Sequence, residues 1–253
     1  MNGDELKYWS LQGTIDVMDR VAGEPMGGLW LGDCSSIEFT PNPTTETFKE
    51  HHSGNRNTGL SLYQGTEATL AITLHNISTD NMEFIFGGSK VAQDTDAVVS
   101  KTVTPATLLV GMTFLLGAYD LASVSLVDST ATPVTLVAGT HYELDAKTGR
   151  GRLLSITGLT GPIKASFTPG TVSYIKMLTD TEREKWIHIT DKNTAVAGMP
   201  RMAFDFYLAK ILPSSFQFIN ESQGEAVLNC NIVADPTKLV DGDLGQFGRA
   251  VML

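Results

Sequence analysis

Two adjacent histidines, His51 and His52, are the side chains best suited to metal chemistry, because Glu46 and Glu50 lie close to them in the sequence. Imidazole and carboxylate groups are common ligands of transition metals. Side chains of adjacent residues on an extended chain point to opposite sides, however, so one ion would not easily reach both histidines. The spacing favours a polar surface loop, and we predict no metal site.

Other catalytic motifs are missing from the sequence. It contains no G-x-S-x-G elbow, no G-x-x-x-x-G-K-[ST] loop and no H-E-x-x-H helix. Gly149 and Gly151 lack the third glycine and the helix of a dinucleotide site, which favours a hairpin turn. Asp241 and Asp243 could bind calcium, but the remaining ligands of a loop site are absent. We predict no catalytic residues and no cofactor, and expect a protein that is not an enzyme.

Composition excludes further classes. The 253 residues include 18 Lys+Arg and 28 Asp+Glu, a net charge of -10, and the cations are not clustered, which argues against a nucleic-acid-binding protein. Cys34 and Cys230 are far apart and lack metal-site spacing, so we expect two reduced, buried thiols. No run of residues approaches the length of a membrane span, and the first ten residues do not resemble a signal peptide. We therefore expect a soluble product of the cytoplasm.

The spacing of apolar residues predicts a mostly β fold with one short helix. Leu70, Ile72 and Leu74 alternate with polar or small residues, as in a half-buried strand. A helix is predicted at about residues 79–87, with Asp80 as its N-cap and Glu83 three residues later. Two glycines, at 87 and 88, should end the helix.

The amino-acid composition changes between residues 93 and 170, where charged residues are fewer and short segments rich in Thr, Val, Ala and Leu predominate. We interpret this region as an inserted small β module, with residues 1–92 and 171–253 forming the main domain. Residues 104–118 could form paired strands or a buried helix, and their two glycines and β-branched residues favour strands.

Residues 68–88, in which a strand, an "ST-D-N" turn and a short glycine-terminated helix follow one another, resemble the major tail tube proteins of long-tailed (siphovirus-type) bacteriophages. Residues 29–59, 139–158, 189–219 and 233–236 are similar to further family segments in the same order. The resemblance covers most of the chain. It implies a tail-tube-type β-sandwich or barrel with one flanking helix, and we expect the inserted module to face outward.

The same resemblance implies a structural virion protein. Its copies would form hexameric rings that stack into the tail tube, the conduit for DNA ejection into the host. Its partners would be other copies of itself and the tape measure, terminator and distal tail proteins, with DNA only in transit and no membrane contact. It would be synthesised in the host bacterial cytoplasm and reside in the virion tail.

The resemblance also implies which residues join the copies. A long loop is expected to supply contacts between subunits through Glu46, Glu50, His51, His52, Asn55 and Arg56. We further predict an acidic channel wall, which would repel DNA, with Glu38, Asp205 and Glu225 as candidates because each is the polar residue in an alternating strand. These carboxylates could equally face the outside, or pair with Lys and Arg between subunits.

Two other classes of function stay open. One is a catalytically silent β-sandwich that binds a carbohydrate or receptor as part of a phage tail. Such a module usually presents exposed aromatic residues on a concave face. Here Trp9, Trp30 and Trp186 are scattered and flanked by apolar residues, which favours their burial in a core or interface. The other is a hydrolase of unfamiliar fold, for which no base and nucleophile can be paired.

Overall fold

The structure, a computed structural model, describes residues 8–219, 221, 224–239 and 245–253, so Asp241 and Asp243 lie outside the described residues. The elements in chain order are β1 (Leu11–Val21), β2 (Glu24–Trp30), β3 (Cys34–Lys49), β4 (Thr58–Leu74), α1 (Thr79–Ile85), β5 (Ser89–Ala92), β6 (Val98–Thr102), β7 (Thr113–Leu115), β8 (Ala122–Val127), β9 (Tyr142–Asp145), β10 (Arg150–Leu153), β11 (Lys164–Thr168), β12 (Ser173–Lys176), β13 (Arg183–Asn193), β14 (Arg201–Leu212), β15 (Ala226–Ile232) and β16 (Gly248–Met252). The prediction of a mostly β fold with one short helix is confirmed.

The chain divides into two compact units. The first consists of Met1–Ser89 and Ile175–Leu253, and the second of Lys90–Tyr174. The sequence analysis set the limits of the inserted module at residues 93 and 170.

The first unit is built on one antiparallel sheet with the strand order β2-β1-β13-β14-β15-β4-β3. One edge of β14 is shared by two strands, since Met202–Phe206 pair with β16 and Ala209–Leu212 pair with β15. Buried side chains of β1 and β13 form a single core with those of β4 and β15, so the two halves of the sheet pack face to face. The described strands close no barrel.

Helix α1 lies against this core, with Phe84 and Ile85 buried in it. Its N-cap is Ser78, whose hydroxyl accepts a hydrogen bond from the Asn81 N–H at 3.1 Å. The prediction that Asp80 is the N-cap was therefore wrong. Asp80 lies in the first turn instead, where a carboxylate interacts favourably with the helix dipole.

Helix α1 ends just before the glycine pair, as the sequence predicted. The helix ends at Ile85, and Gly87 has the positive φ of 51° that commonly closes a helix. The Gly88 N–H donates to the Glu83 carbonyl at 2.9 Å and satisfies one of the terminal acceptors.

The second unit contains two three-stranded sheets, β7-β10-β9 and β6-β11-β8. Residues 104–118 contain β7 and no helix, as their composition favoured. The predicted hairpin turn at Gly149 is confirmed, since its N–H donates to the Asp145 carbonyl at 2.8 Å between β9 and β10. A further two-stranded sheet pairs β5 with β12.

In the described part of the chain, the only helix is the seven-residue α1, which is too short to cross a membrane.

Candidate functional site

The longest hairpin of the first unit extends beyond the core. Strands β3 and β4 pair from Cys34 opposite Leu74 to Lys49 opposite Thr58. Toward the tip of the hairpin, the last buried residue is Ala68 on β4. The residues of β3 from Pro41, which pairs with Ala68, to Lys49 are all exposed. At about 3.3 Å per residue, the paired strands reach roughly 25 Å past the core. We call residues 45–63, beyond the bulge opposite Thr44 and Thr45, the arm.

One face of the arm is largely apolar. Phe48 pairs with Leu60, and Glu46 with Leu62, so these four side chains share a face. Phe48, Leu60 and Leu62 are 45%, 51% and 44% exposed. A two-stranded hairpin alone is marginally stable in water, and these three side chains form an exposed apolar patch on it.

The tip of the arm is held together by Glu50. Its N–H donates to the Asn57 carbonyl at 2.8 Å, and its carboxylate contacts His52 Nδ1 at 2.8 Å and accepts a hydrogen bond from the Ser53 hydroxyl. Glu50 is therefore a structural residue of the tip, whereas His52 is largely exposed.

The other predicted interface residues occupy separate places on the arm. Glu46 contacts the Gln64 amide on the neighbouring strand and does not join the tip. His51, Asn55 and Arg56 are exposed at the tip, and Arg56 has a positive φ of 51°. No group of three or more potential metal ligands occurs among the described residues.

Asp205 does not line an exposed surface, so its prediction as a channel-wall residue was wrong. It is 5% exposed and accepts hydrogen bonds from His188 Nδ1 and Arg249 Nε, each at 2.6 Å, and from Trp186 Nε1 at 3.3 Å. Burial acts to raise the pKa of Asp205, but these hydrogen bonds outweigh it and leave the pKa below its usual value. Asp205 thus ties β13, β14 and β16 together.

Thr190 extends this network. Its hydroxyl lies 2.9 Å from His188 Nε2, so the network runs from Asp205 through His188 to Thr190. The Asp205 carboxylate also forms an ion pair with Arg249, so it binds His188 through one oxygen and Arg249 through the other. The network lies on the opposite face of β13 from Ile189, which points into the core.

Glu38 and Glu225 are exposed, unlike Asp205. Glu38 projects from the face opposite Ile37 and Phe39, as alternation predicted, and Glu225 contacts His75 Nε2 at 2.8 Å. Sequence reasoning missed Glu67, which lies two residues before Thr69 on the same face of β4 and was detectable from the same alternation.

A cleft opens between the two halves of the sheet. Its volume is about 810 Å³, and its walls combine apolar side chains with two carboxyl groups. The lining residues are Ser10, Leu11, Gln12, Gly13, Ile15, Asp33, Cys34, Ser35, Ser36, Ile37, Phe39, Leu70, Ile189, Asp191, Phe204 and Phe206. Its volume lies within the range of small-molecule sites, and its lining is almost equally polar and apolar.

Asp191 is the most unusual residue of the cleft. It is 5% exposed, and its Oδ1 has no hydrogen-bond partner among the described residues. Burial raises its pKa, although a hydrogen bond from the Met202 N–H acts in the opposite direction. Sequence analysis did not single out Asp191. Its position two residues after Ile189 would have indicated a carboxyl group on the core side of β13.

Comparison with known families identifies the chain. The family model described as "Protein of unknown function UCP028589" matches residues 8–251. The protein belongs to this family. No curated protein shows significant similarity to the chain. The match extends over the arm, the cleft and both units of this UCP028589 protein.

The tryptophans of this UCP028589 protein have two different environments. Trp186 is buried against Tyr207, with ring centroids 4.7 Å apart, and belongs to the core as expected. Trp9 and Trp30 are exposed in the single chain, so neither is a core residue.

Both cysteines of the UCP028589 protein are free. Burial raises the pKa of Cys230 to about 12, and burial together with the negative charge of Asp33 raises that of Cys34 to about 11. Both thiols are thus poor nucleophiles at neutral pH. Cys34 is only half-buried, unlike Cys230.

Proposed function

We propose that this protein is a structural subunit of a bacteriophage tail tube, in which copies form hexameric rings that stack around a channel for DNA. The observation that carries the proposal is the arm, because it holds Phe48, Leu60 and Leu62 in water far from the core of its own chain. Such a surface is stable when a neighbouring copy covers it. The hexameric ring and the stacking of rings into a tube are inferred from the resemblance to major tail tube proteins.

The sheet edges support the same proposal. Strands β2 and β3 end the strand order, so each has one edge without a partner strand in the described structure. Open edges invite pairing with another chain, and joining them between copies would close a ring. Pro41 and Pro43 remove two donors from β3 and fit an edge strand, because residues two apart direct their N–H groups to the same edge. The portion before Pro41 is therefore the better place for strand pairing.

The acidic face of β3, β4 and β15 fits a channel that DNA crosses without binding. Glu38, Glu67 and Glu225 lie along it, and residues 36–42, 67–73 and 225–231 contain no Lys or Arg. A surface without cations offers no site for the counterion release that holds DNA on proteins. We propose that this face lines the channel, with Glu67 in addition to Glu38 and Glu225, two of the three residues that alternation predicted.

Electron microscopy and light scattering of the purified protein test the proposal. We expect stacked rings or tubes from the wild type, and folded protein no larger than a single ring after deletion of residues 51–57 or in the variant Phe48→Ser/Leu60→Ser. The matched control is Leu109→Ser/Val110→Ser, which removes exposed apolar side chains from the second unit and should assemble normally.

Two results would contradict the proposal. Normal tubes from the arm variants would show that the arm is not the assembly surface. A wild type that remains monomeric at high concentration would refute self-assembly, and monomers that retain a sugar would favour the carbohydrate-binding alternative.

A further inference from the structure

The cleft of the first unit contains an unused hydrogen-bond acceptor. Asp191 is almost completely buried, and its Oδ1 has no partner among the described residues. A buried carboxylate oxygen without a donor is costly, and native proteins rarely leave one unsatisfied. On the neighbouring strand Gly13 faces Asp191 and contributes no side chain that could supply a donor. The floor of the cleft is therefore arranged for a donor that comes from outside.

The walls of the cleft are also incomplete. Ile37 and Phe39 line it and remain 37% and 47% exposed, and Leu11 at its mouth is 43% exposed. The ring of Phe39 touches Phe206 at a centroid distance of 5.2 Å, but leaves much of its surface open to water. An occupant with apolar groups and one strong donor would satisfy both the walls and the floor.

The arm has the complementary chemistry. It presents Phe48, Leu60 and Leu62 on one face, and Arg56 lies at its exposed tip. Glu46 and Glu50 balance Lys49 and Arg56, so the arm as a whole is neutral. The cleft is lined by two carboxyl groups and by no Lys, Arg or His. The apolar side chains of the arm and the arginine of its tip therefore match the apolar walls and the carboxyl groups of the cleft.

An arm cannot enter the cleft of its own chain. Strands β3 and β4 form part of the cleft wall and continue as one paired ribbon into the arm, so the arm leads away from this cleft. The same cleft on a second copy offers the required chemistry.

We propose that the cleft of one copy receives the arm of the next, with the apolar face of the arm against Ile37 and Phe39 and the guanidinium of Arg56 on Asp191. Arg56 lies at the tip, which enters first, and an arginine supplies several donors to a buried carboxylate. The contact joins two different surfaces and does not close on itself, so it propagates along an axis. This inference rests on the proposed function and names the two surfaces that would stack the rings.

A double-mutant cycle tests the pairing of Arg56 with Asp191. Asp191→Asn keeps an acceptor for the Met202 N–H, and Arg56→Gln keeps a polar tip. Each variant should lower the association constant measured by analytical ultracentrifugation at least tenfold, equivalent to about 1.4 kcal/mol. The double variant should lose no more than either single variant, because both remove the same interaction. Arg150→Gln, on the second unit, is the control and should associate normally.

A mixing experiment tests the direction of the contact. Deletion of residues 51–57 removes the tip of the arm with Arg56 and leaves the cleft intact, whereas Ile37→Lys places a competing cation in the cleft and leaves the arm intact. Neither variant should form tubes alone, but an equal mixture should form complexes that stop after one arm–cleft layer, such as pairs of rings. Thermal unfolding of each variant establishes that it is folded.

The possible results separate this contact from the proposed function. Wild-type tubes that persist in Asp191→Asn and Ile37→Lys would overturn the contact and leave the tube proposal intact. Fully additive losses in the double variant, or a small amphipathic ligand found in the cleft by native mass spectrometry, would also overturn it. A monomeric wild type would refute both.

Discussion

Replacement of Asp205 by Asn should destabilise the first unit by about 3 kcal/mol. Removing one partner from a buried ion pair typically costs about 3–5 kcal/mol, because the other charge is left uncompensated. The loss should lie at the lower end here, since Arg249 is 47% and His188 29% exposed and water can replace part of the interaction. The variant keeps the shape of the side chain, so the change reports the charge and its hydrogen bonds.

Urea unfolding followed by tryptophan fluorescence measures this loss. All three tryptophans, at 9, 30 and 186, belong to the first unit, and Trp186 itself donates to Asp205. With a urea m-value of about 3 kcal/mol/M, the midpoint should fall by about 1 M. Glu38→Gln removes an exposed carboxylate and should change stability by no more than about 0.5 kcal/mol. A midpoint for Asp205→Asn equal to that of this control would refute the reasoning.

The difference between wild type and Asp205→Asn should depend on pH. Hydrogen bonds from His188, Arg249 and Trp186 outweigh the effect of burial and keep the pKa of Asp205 low in the folded protein. A depressed pKa contributes stability that is fully present above the unfolded value of about 3.9 and is lost as the pH falls through the folded value. The two proteins should therefore differ clearly at pH 7 and converge in strong acid, and a constant difference would contradict this assignment.

Three further predictions concern the helix cap, the second unit and the cleft. Ser78→Ala should cost about 1 kcal/mol in urea unfolding and Asp80→Ala only a few tenths, and the reverse order would restore Asp80 as the cap. Gly151→Ala should destabilise the second unit by about 1–3 kcal/mol, read by hydrogen exchange of residues 90–174, because its Cβ would lie 2.2 Å from the Phe114 ring; unchanged exchange would show that the ring yields freely. Burial raises the pKa of Asp191, so its contribution to stability decreases as the pH rises from about 3.9 through the folded value. In the variant that lacks residues 51–57, in which no Arg56 can pair with Asp191, Asp191→Asn should therefore raise the melting temperature at pH 7 by about 2–4 °C, corresponding to about 1 kcal/mol, and a lower melting temperature would contradict the unsatisfied carboxylate.

Local periodicity predicted the elements well because strand and helix signals depend on neighbouring residues. Alternation placed Glu38 on the opposite face from Ile37 and Phe39, and the glycine pair after residue 86 ended the helix as expected. The helix N-terminus was less well determined, since Ser78 and Asp80 are both good caps. The backbone at Ser78, with φ -85° and ψ 166°, decides between them.

Burial depended on contacts that no local pattern reveals. Asp205 alternates with Phe204 and Phe206 as an exposed residue would, yet β14 is covered on both faces. Lys238, which is distant in sequence, lies over Trp186 and Tyr207 on the face that Asp205 shares. Alternation distinguishes the two faces of a strand but cannot show that both are covered.

The sequence by itself determined the β architecture, the place of the helix and the acidic character of the protein, because composition and short-range periodicity encode them. Only the tertiary structure showed that β3 and β4 continue beyond the core as an arm, and that Gly13, Ile37 and Asp191 meet around one cleft. These residues are separated by as many as 178 positions, from 13 to 191. Their proximity follows from the pairing order of the strands, which depends on the packing of the whole sheet and not on the residues of any one strand.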